Sequence, residues 1–220
     1  MYRPLKVVLE NDEVCKLALF EKVMGNDFSR LHPMLQKRYD LPAGTVFKAT
    51  GIMNEIKGGP KWLYPLFQIG TKWKLLFPEH GKSIPFSITN TSYITDDGES
   101  HVHWERIFHF DTKKRYFNAL MSLDEDRLVI KDYLGEPHIV YADLALTVAA
   151  EGYLKITSLN QKLVLGKIEV PLPKLFQGLA TVTEKYMDDR GCYQITVIVK
   201  NPLIGTLFSY EGEFTADEDA

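Results

Sequence analysis

The sequence has little cysteine, no long apolar run and no excess of one charge. Cys15 and Cys192 are its only cysteines, which excludes a disulfide framework and a thiolate-rich metal site. Lys and Arg number 26 against 29 Asp and Glu, a net charge of -3, so the composition does not favour wholesale binding to nucleic acid or to an anionic membrane. No window approaches the roughly 20 apolar residues that cross a bilayer, and no transmembrane segment is predicted.

The amino-terminal residues lack the apolar core of a secretory signal, because charged residues flank a short apolar run at 7–9. With few cysteines and no signal, we expect a cytoplasmic protein with reduced thiols. We predict that residues 1–12 form an extension and that residues 13–220 form a single domain, with helices in 13–40 and a barrel in 45–216.

Familiar catalytic motifs are missing as well. Gly58-Gly59-Pro60 lacks the spacing of a phosphate-cradling loop, no Gly-x-Ser-x-Gly elbow occurs, and neither cysteine has a histidine neighbour to activate it. We therefore predict no catalytic residue, no metal and no cofactor, although a triad assembled from distant residues would leave no such pattern.

Helical periodicity is confined to the first 40 residues and to one later segment. Apolar residues recur at helical spacing over 12–25, and Asn26 or Asp27 can cap a second short helix that contains Pro33 near its first turn. These stripes are too short to be stable alone, so we expect both helices to pack on the rest of the domain. His32 is interpreted as a capping or packing residue.

The later helix is predicted over residues 61–77, between Pro60 and Pro78. Its main apolar stripe consists of Trp62, Leu66, Ile69, Trp73 and Leu76. Packing of this stripe against the barrel is the favoured interpretation, because amphipathic helices usually bury their apolar face. A lid over the barrel mouth and interfacial membrane contact remain alternatives.

The rest of the chain alternates apolar and polar residues with period two, and turn signals separate the runs. About ten to eleven antiparallel strands result, without the helix-sized crossovers that parallel strands need. A sheet this large curls or splits to remove its edges, so we predict a closed or half-open up-and-down barrel, with a sandwich as second choice. Since more than about eight strands are hard to fill with side chains alone, we expect an interior cavity.

Arg106 lies on the strand face that is predicted to be buried, in register with Trp104 and Phe108. A buried guanidinium requires a partner. That partner is either a protein carboxylate, with Glu184 as a candidate, or the carboxylate or phosphate of a ligand in an apolar cavity. The candidate ligand-binding set is Arg106, Trp104, Phe108, Glu184, Tyr186 and Trp73.

The opposite face of this strand carries His101, His103, Glu105 and His109. Alternate histidines on one strand face can share a metal ion. Because the other face is apolar, a solvated strand face is the favoured interpretation.

Several segments resemble an uncharacterised bacterial family known as domain of unknown function 4166. They are DFSRLHPMLQKRY at 27–39, FPEHG at 77–81, WERIF at 104–108, NPLIG at 201–205 and YEGEF at 210–214. The resemblance implies a domain that stands alone or follows a saccharopine-dehydrogenase-like or short-chain-reductase-like part in longer chains. It implies no activity and supplies no catalytic residues.

The leading functional hypothesis is a barrel that binds a hydrophobic or lipid-like small molecule, with Arg106 holding an anionic head group where the ligand has one. The alternatives are an enzyme that acts on a small molecule in the same cavity, with Arg106 orienting it, and an accessory domain that docks on a partner oxidoreductase. A broad exposed apolar patch on the 61–77 helix would favour docking.

Overall fold

A computed structural model describes residues 18–217 apart from residue 167. The predicted extension 1–12, Cys15 and the start of the first predicted helix lie outside the described residues. The division of the chain at residue 12 therefore stays a prediction.

In the part of the chain that the structure describes, three short helices precede or interrupt the strands. The helix α1 spans Leu19–Met24 and runs into a 3-10 turn at Gly25–Arg30, and α2 spans Pro33–Tyr39. The helix α3 spans Tyr64–Gly70 between 3-10 turns at Lys61–Leu63 and Thr71–Trp73. Within the described part of the chain, no helix is both long and apolar enough to cross a bilayer.

Twelve strands of the described chain form one antiparallel sheet. They are β1 (Val46–Lys57), β2 (Gly81–Ile94), β3 (Ser100–Phe110), β4 (Lys113–Tyr116), β5 (Ala119–Asp124), β6 (Val129–Leu134), β7 (Val140–Val148), β8 (Leu154–Leu165), β9 (Ile168–Pro171), β10 (Leu179–Met187), β11 (Cys192–Asn201) and β12 (Gly205–Ala216). All except β4 and β9 form a closed ring, in which β12 pairs with β1 and β8 pairs with β10. The prediction of a closed antiparallel barrel with two amino-terminal helices and one inserted helix is confirmed.

One of the two shortest seams of the ring lies where β8 meets β10; the other is the β3–β5 pairing, which also has four residue pairs. The β8–β10 pairing runs from Thr157–Thr181 to Leu154–Glu184. Beyond this stretch β8 pairs with β9 instead, and the side chain of Gln161 bridges the gap by bonding to the backbone of Gly178. The β8–β10 seam is therefore held by fewer ladder hydrogen bonds than its neighbours.

Both ends of the barrel are covered. At the end where β1 begins, α1 and α2 lie across the opening, and Phe20 packs on Trp104 with ring centroids 6.3 Å apart. At the other end lie residues 58–80, which we call the insert. Its Phe77 is fully buried between Phe108 (5.1 Å) and Phe208 (4.8 Å). We refer to the two as the helical end and the insert end.

The insert differs from its prediction in length and in orientation. The helix stops at Gly70 instead of reaching residue 77, because Lys74 takes a left-handed conformation and Pro78 follows. The stripe that includes Trp62 and Leu66 was expected to pack inward, but these side chains are 66% and 56% exposed. A second stripe with Leu63 and Phe67 faces the barrel instead.

Candidate functional site

Arg106 points into the barrel from β3 and is 5% exposed. Its guanidinium lies 4.3 Å from the ring centroid of Phe117, and its Nη1 is 3.5 Å from the hydroxyl of Tyr210. Its Nε has no hydrogen-bond partner among the described residues. The side chain therefore combines cation–π contact with incomplete hydrogen bonding.

Two polar side chains that the sequence analysis did not single out also point into the interior. Asp132 on β6 is 7% exposed and Ser158 on β8 is 4% exposed. Asp132 Oδ1, Ser158 Oγ and the indole Nε1 of Trp104 are buried and, within residues 18–217, find no protein partner. Buried polar atoms are nearly always paired, so four unpaired ones beside one cavity, counting Arg106 Nε, mark a place suited to a polar guest.

These four side chains line an internal cavity of about 30 Å³. Its other walls are apolar and include Phe117, Ile156 and Val182, so the cavity lies against the β8–β10 seam. This volume accommodates about two waters, and ligand pockets measure about 300–1,000 Å³. In this conformation only a water-sized group fits beside Arg106.

Asp132 carries the clearest electrostatic signature of the interior. Burial raises the pKa of its carboxyl group, and the positive charge of Arg106 lowers it in part, so that the pKa is about 6. No ion pair within 4.0 Å joins Asp132 to any described residue. The carboxyl group can therefore change its charge near neutral pH.

Glu184 was a candidate partner of Arg106, but the two side chains do not pair, so this candidate pairing is wrong. Its carboxylate accepts hydrogen bonds from Arg38 Nε and from the hydroxyl of Tyr39, which is 3.0 Å away. Arg38 and Glu184 are both fully buried. The physical reason is that α2 closes the helical end and carries its own arginine into reach of β10.

This network has its own electrostatic consequence. Burial raises the pKa of Tyr39 well above its ordinary range, and the Glu184 carboxylate raises it further, so the phenol keeps its proton. The guanidinium of Arg38 also lies 4.5 Å from the ring centroid of Phe47. The network fixes α2 to the barrel and leaves Arg106 without a carboxylate partner in contact.

The remaining predicted site residues are spread along the barrel. Phe108 belongs to the aromatic cluster near the insert end, and Tyr186 stacks on His32 at the helical end with a centroid distance of 5.2 Å. Trp73 lies on the insert and is 38% exposed. Of the predicted set, only Trp104 and Arg106 line the cavity.

The histidines of β3 bond to separate partners. His101 contacts Glu99 (3.1 Å), and His103 contacts Glu136 (3.0 Å). His109 lies 2.9 Å from the hydroxyl of Ser87. Among the described residues, no group of three or more potential ligands could hold a metal ion. His32, in contrast, caps α2 by accepting a hydrogen bond from Met34 N, in agreement with the capping interpretation.

The sequence analysis missed Asp132 and Ser158, although the alternation of inward and outward residues along their strands indicates that both point inward. Asp132 falls between Ile130 and Leu134 on the inner face of β6, and Ser158 follows Ile156 on the inner face of β8. The reasoning that placed Arg106 inside applies equally to these positions.

A second depression lies on the outer surface between α1 and α2. It is an open cleft of about 440 Å³ lined mainly by exposed polar residues such as Asn26, Lys37 and Asp40. It lacks the buried, unpaired polar groups that distinguish the interior.

Comparison with known proteins identifies relatives over almost the whole described chain. The family model described as domain of unknown function (DUF4166) matches residues 31–214. The uncharacterized protein YndH of Bacillus subtilis (strain 168) is 38% identical over 201 residues, which cover 91% of this chain and 98% of that protein.

Proposed function

The chain belongs to the family described as domain of unknown function DUF4166, and from its site we propose that the barrel binds a hydrophobic small molecule with an anionic head group. The observation that carries the proposal is a set of four buried polar atoms around one cavity for which residues 18–217 supply no hydrogen-bond partner. A barrel whose interior served only as a core would gain stability by pairing these groups or by replacing them with apolar ones.

The anionic group of the ligand is held by Arg106. A carboxylate can accept two hydrogen bonds from a guanidinium, and Arg106 lines the cavity with a buried Nε that has no hydrogen-bond partner among the described residues. Asp132 in its protonated form donates a further hydrogen bond, while its ionised form repels the ligand. Binding is therefore expected to strengthen as the pH falls through about 6.

The apolar part of the ligand requires more room than the closed barrel offers. The β8–β10 seam supplies it, because its four-pair ladder borders the cavity at Ile156 and Val182. Opening of this seam breaks as few backbone hydrogen bonds as opening of the β3–β5 pairing, and fewer than separation of the other strand pairs of the ring. The ligand enters between these strands, and its head group replaces water beside Arg106.

The experiment combines native mass spectrometry of the freshly purified protein with titration of dodecanoate as a probe. We expect one bound probe per chain and at least about a tenfold loss of affinity in Arg106→Met, since charge-assisted hydrogen bonds contribute about 1.5–3 kcal/mol. Arg30→Met is the matched control, because Arg30 pairs with Asp27 on the surface. Equal binding by both variants, or no binding by the wild type, would refute the proposal.

A second candidate is an enzyme that acts on a molecule in this cavity. Asp132 favours it, because a carboxyl group with a pKa of about 6 beside a cation can accept a proton from a bound ligand. The test is deuterium incorporation from heavy water into the molecule that co-purifies with the protein. Incorporation that Asp132→Asn abolishes would favour the enzyme, and its absence in the wild type would exclude proton abstraction.

A further inference from the structure

Most of the large apolar side chains that are exposed lie at the insert end. We define them as the insert-end surface: Trp62, Tyr64, Leu66, Ile69 and Trp73 on the insert, Leu165 and Ile168 at the β8–β9 turn, Leu175 and Phe176 before β10, and Leu203 between β11 and β12. The topology places all these segments at one end, because β1, β8 and β11 finish there and β2, β10 and β12 begin there. Exposed apolar groups concentrated in this way mark an interaction site.

Charge is distributed unevenly between the insert end and the helical end of the barrel. Lysines at the insert end that make no ion pair with any described residue are Lys61, Lys72, Lys82, Lys114, Lys174 and Lys200. The turns at the helical end are acidic and contain Asp96, Asp97, Glu99, Asp124, Glu125, Asp126, Glu151, Asp188 and Asp189. The net charge of -3 therefore conceals a basic end and an acidic end.

The basic end is also the apolar end, and this coincidence favours a lipid surface over a protein partner. Trp and Tyr suit the headgroup boundary of a bilayer, and lysines that surround them can reach anionic headgroups. The apolar groups stand on one short helix, one hairpin tip and two turns, so each can enter a fluid lipid layer separately. The exposed patch on this helix also agrees with docking on a protein, but the hot spots of a protein interface cluster near its centre, whereas these apolar groups are scattered over separate segments.

We propose that the insert end is a docking surface for an anionic lipid bilayer, on which the barrel stands with its acidic helical end pointing away. The insert-end surface enters the headgroup region to a depth of about 5–10 Å, as interfacial segments do. Lys61, Lys72 and Lys174 add attraction that salt screens. This proposal does not depend on ligand binding in the barrel, and Arg106→Met is expected to bind vesicles as well as the wild type does.

The experiment is co-sedimentation of the full chain with vesicles of phosphatidylcholine alone or mixed with an equal amount of phosphatidylglycerol. We expect binding to the mixed vesicles, a blue shift of tryptophan emission, and release by added salt. The double variant Trp62→Ser with Phe176→Ser should lower the partition coefficient at least about tenfold, because it removes two large apolar side chains from the membrane-facing surface. Each charge reversal at Lys61, Lys72 and Lys174 should lower it at least about fivefold.

Matched variants at the helical end control for general effects on folding and charge. Ile94→Ser with Leu128→Ser removes side chains that are 47% and 57% exposed, and Lys37→Glu with Lys155→Glu reverses two exposed charges. These variants should bind mixed vesicles like the wild type, and circular dichroism should be unchanged in every variant. Absence of binding to the mixed vesicles would overturn the proposal, and so would equal binding by the Trp62 and Phe176 variant.

Two other occupants would appear as distinct results. Concentration-dependent self-association that the Trp62 and Phe176 variant abolishes would make a second copy of the chain the occupant. A stable complex with a purified oxidoreductase of the kind that the family resemblance implies, blocked by the same variant, would make a protein the occupant. Either result in the absence of vesicle binding would refute the lipid surface.

Discussion

Replacement of Asp132 by asparagine should increase stability at neutral pH, although most substitutions of buried polar residues decrease it. The reason is the raised pKa of the carboxyl group, which is about 6 in the folded protein and 3.8 in its ordinary state. In the unfolded chain the group ionises freely above pH 3.8, whereas in the folded chain burial opposes ionisation. The folded state is therefore destabilised relative to the unfolded state once the pH exceeds the pKa that the carboxyl group has in the unfolded chain.

The sign and size of the effect follow from proton linkage. Below pH 3.8 the carboxyl group is protonated in both states and does not change the free energy of unfolding. The destabilisation grows between pH 3.8 and about 6 and is complete above about pH 6. The difference between the two pKa values corresponds to about 3 kcal/mol, an upper bound for the gain at pH 7.5. Asparagine keeps the shape but still buries an amide, so we expect a gain of about 1–2 kcal/mol.

The assay is urea unfolding of the wild type and Asp132→Asn at pH 4 and pH 7.5. The variant should have the higher midpoint at pH 7.5 and nearly the same midpoint at pH 4. Asp143→Asn is the control with the opposite sign, because hydrogen bonds from Arg127 outweigh burial and lower the pKa of Asp143. A loss of stability in Asp132→Asn at pH 7.5 would refute the reasoning and would show that Asp132 and Arg106 form a net stabilising pair.

Two further predictions concern the attachments of the end segments. Arg38→Met should lower the free energy of unfolding by about 3–5 kcal/mol in urea titrations, because it leaves the Glu184 carboxylate buried without its cation. The double variant Arg38→Met with Glu184→Leu should recover much of this loss. If the effects of the two substitutions simply add, the two residues do not form a coupled pair. Glu136 accepts hydrogen bonds from Lys74, His103 and Asn118. Burial raises the pKa of its carboxyl group, but these hydrogen bonds outweigh burial and lower the pKa to about 2. Because the ionised carboxylate anchors Lys74, Glu136→Gln should speed amide exchange in residues 71–77 at pH 7. This stabilisation is present above pH 4.5 and is lost as the pH falls toward about 2, and equal exchange in variant and wild type at pH 7 would argue against this anchor.

The local pattern of the sequence was sufficient to predict the antiparallel barrel and the inward direction of the Arg106 side chain. Period-two alternation reports which face of a strand is buried, and turn residues report where strands end. The same alternation holds for Asp132 and Ser158, so this part of the site could also be read from the chain.

The pairing of Glu184 and the orientation of the insert could not be predicted in this way. The partner of Glu184 comes from α2, and no periodicity encodes where that helix docks. The insert is apolar on two stripes, one through Trp62 and one through Leu63, so its hydrophobic pattern does not choose the buried side. The small cavity has a similar origin, because Phe20 and Phe77 from the end segments fill space that strand number alone predicts to be open.

The position of β12 in the ring has a consequence for biosynthesis. This strand lies between β11 and β1, so strands from opposite ends of the described sequence are neighbours in the finished sheet. Until β12 emerges, β1 and β11 keep unpaired edges, and the partners of Phe208, Tyr210 and Phe214 remain uncovered. The sheet thus stays incomplete until its last described strand is synthesised, and we expect the chain to rely on holding chaperones in that interval.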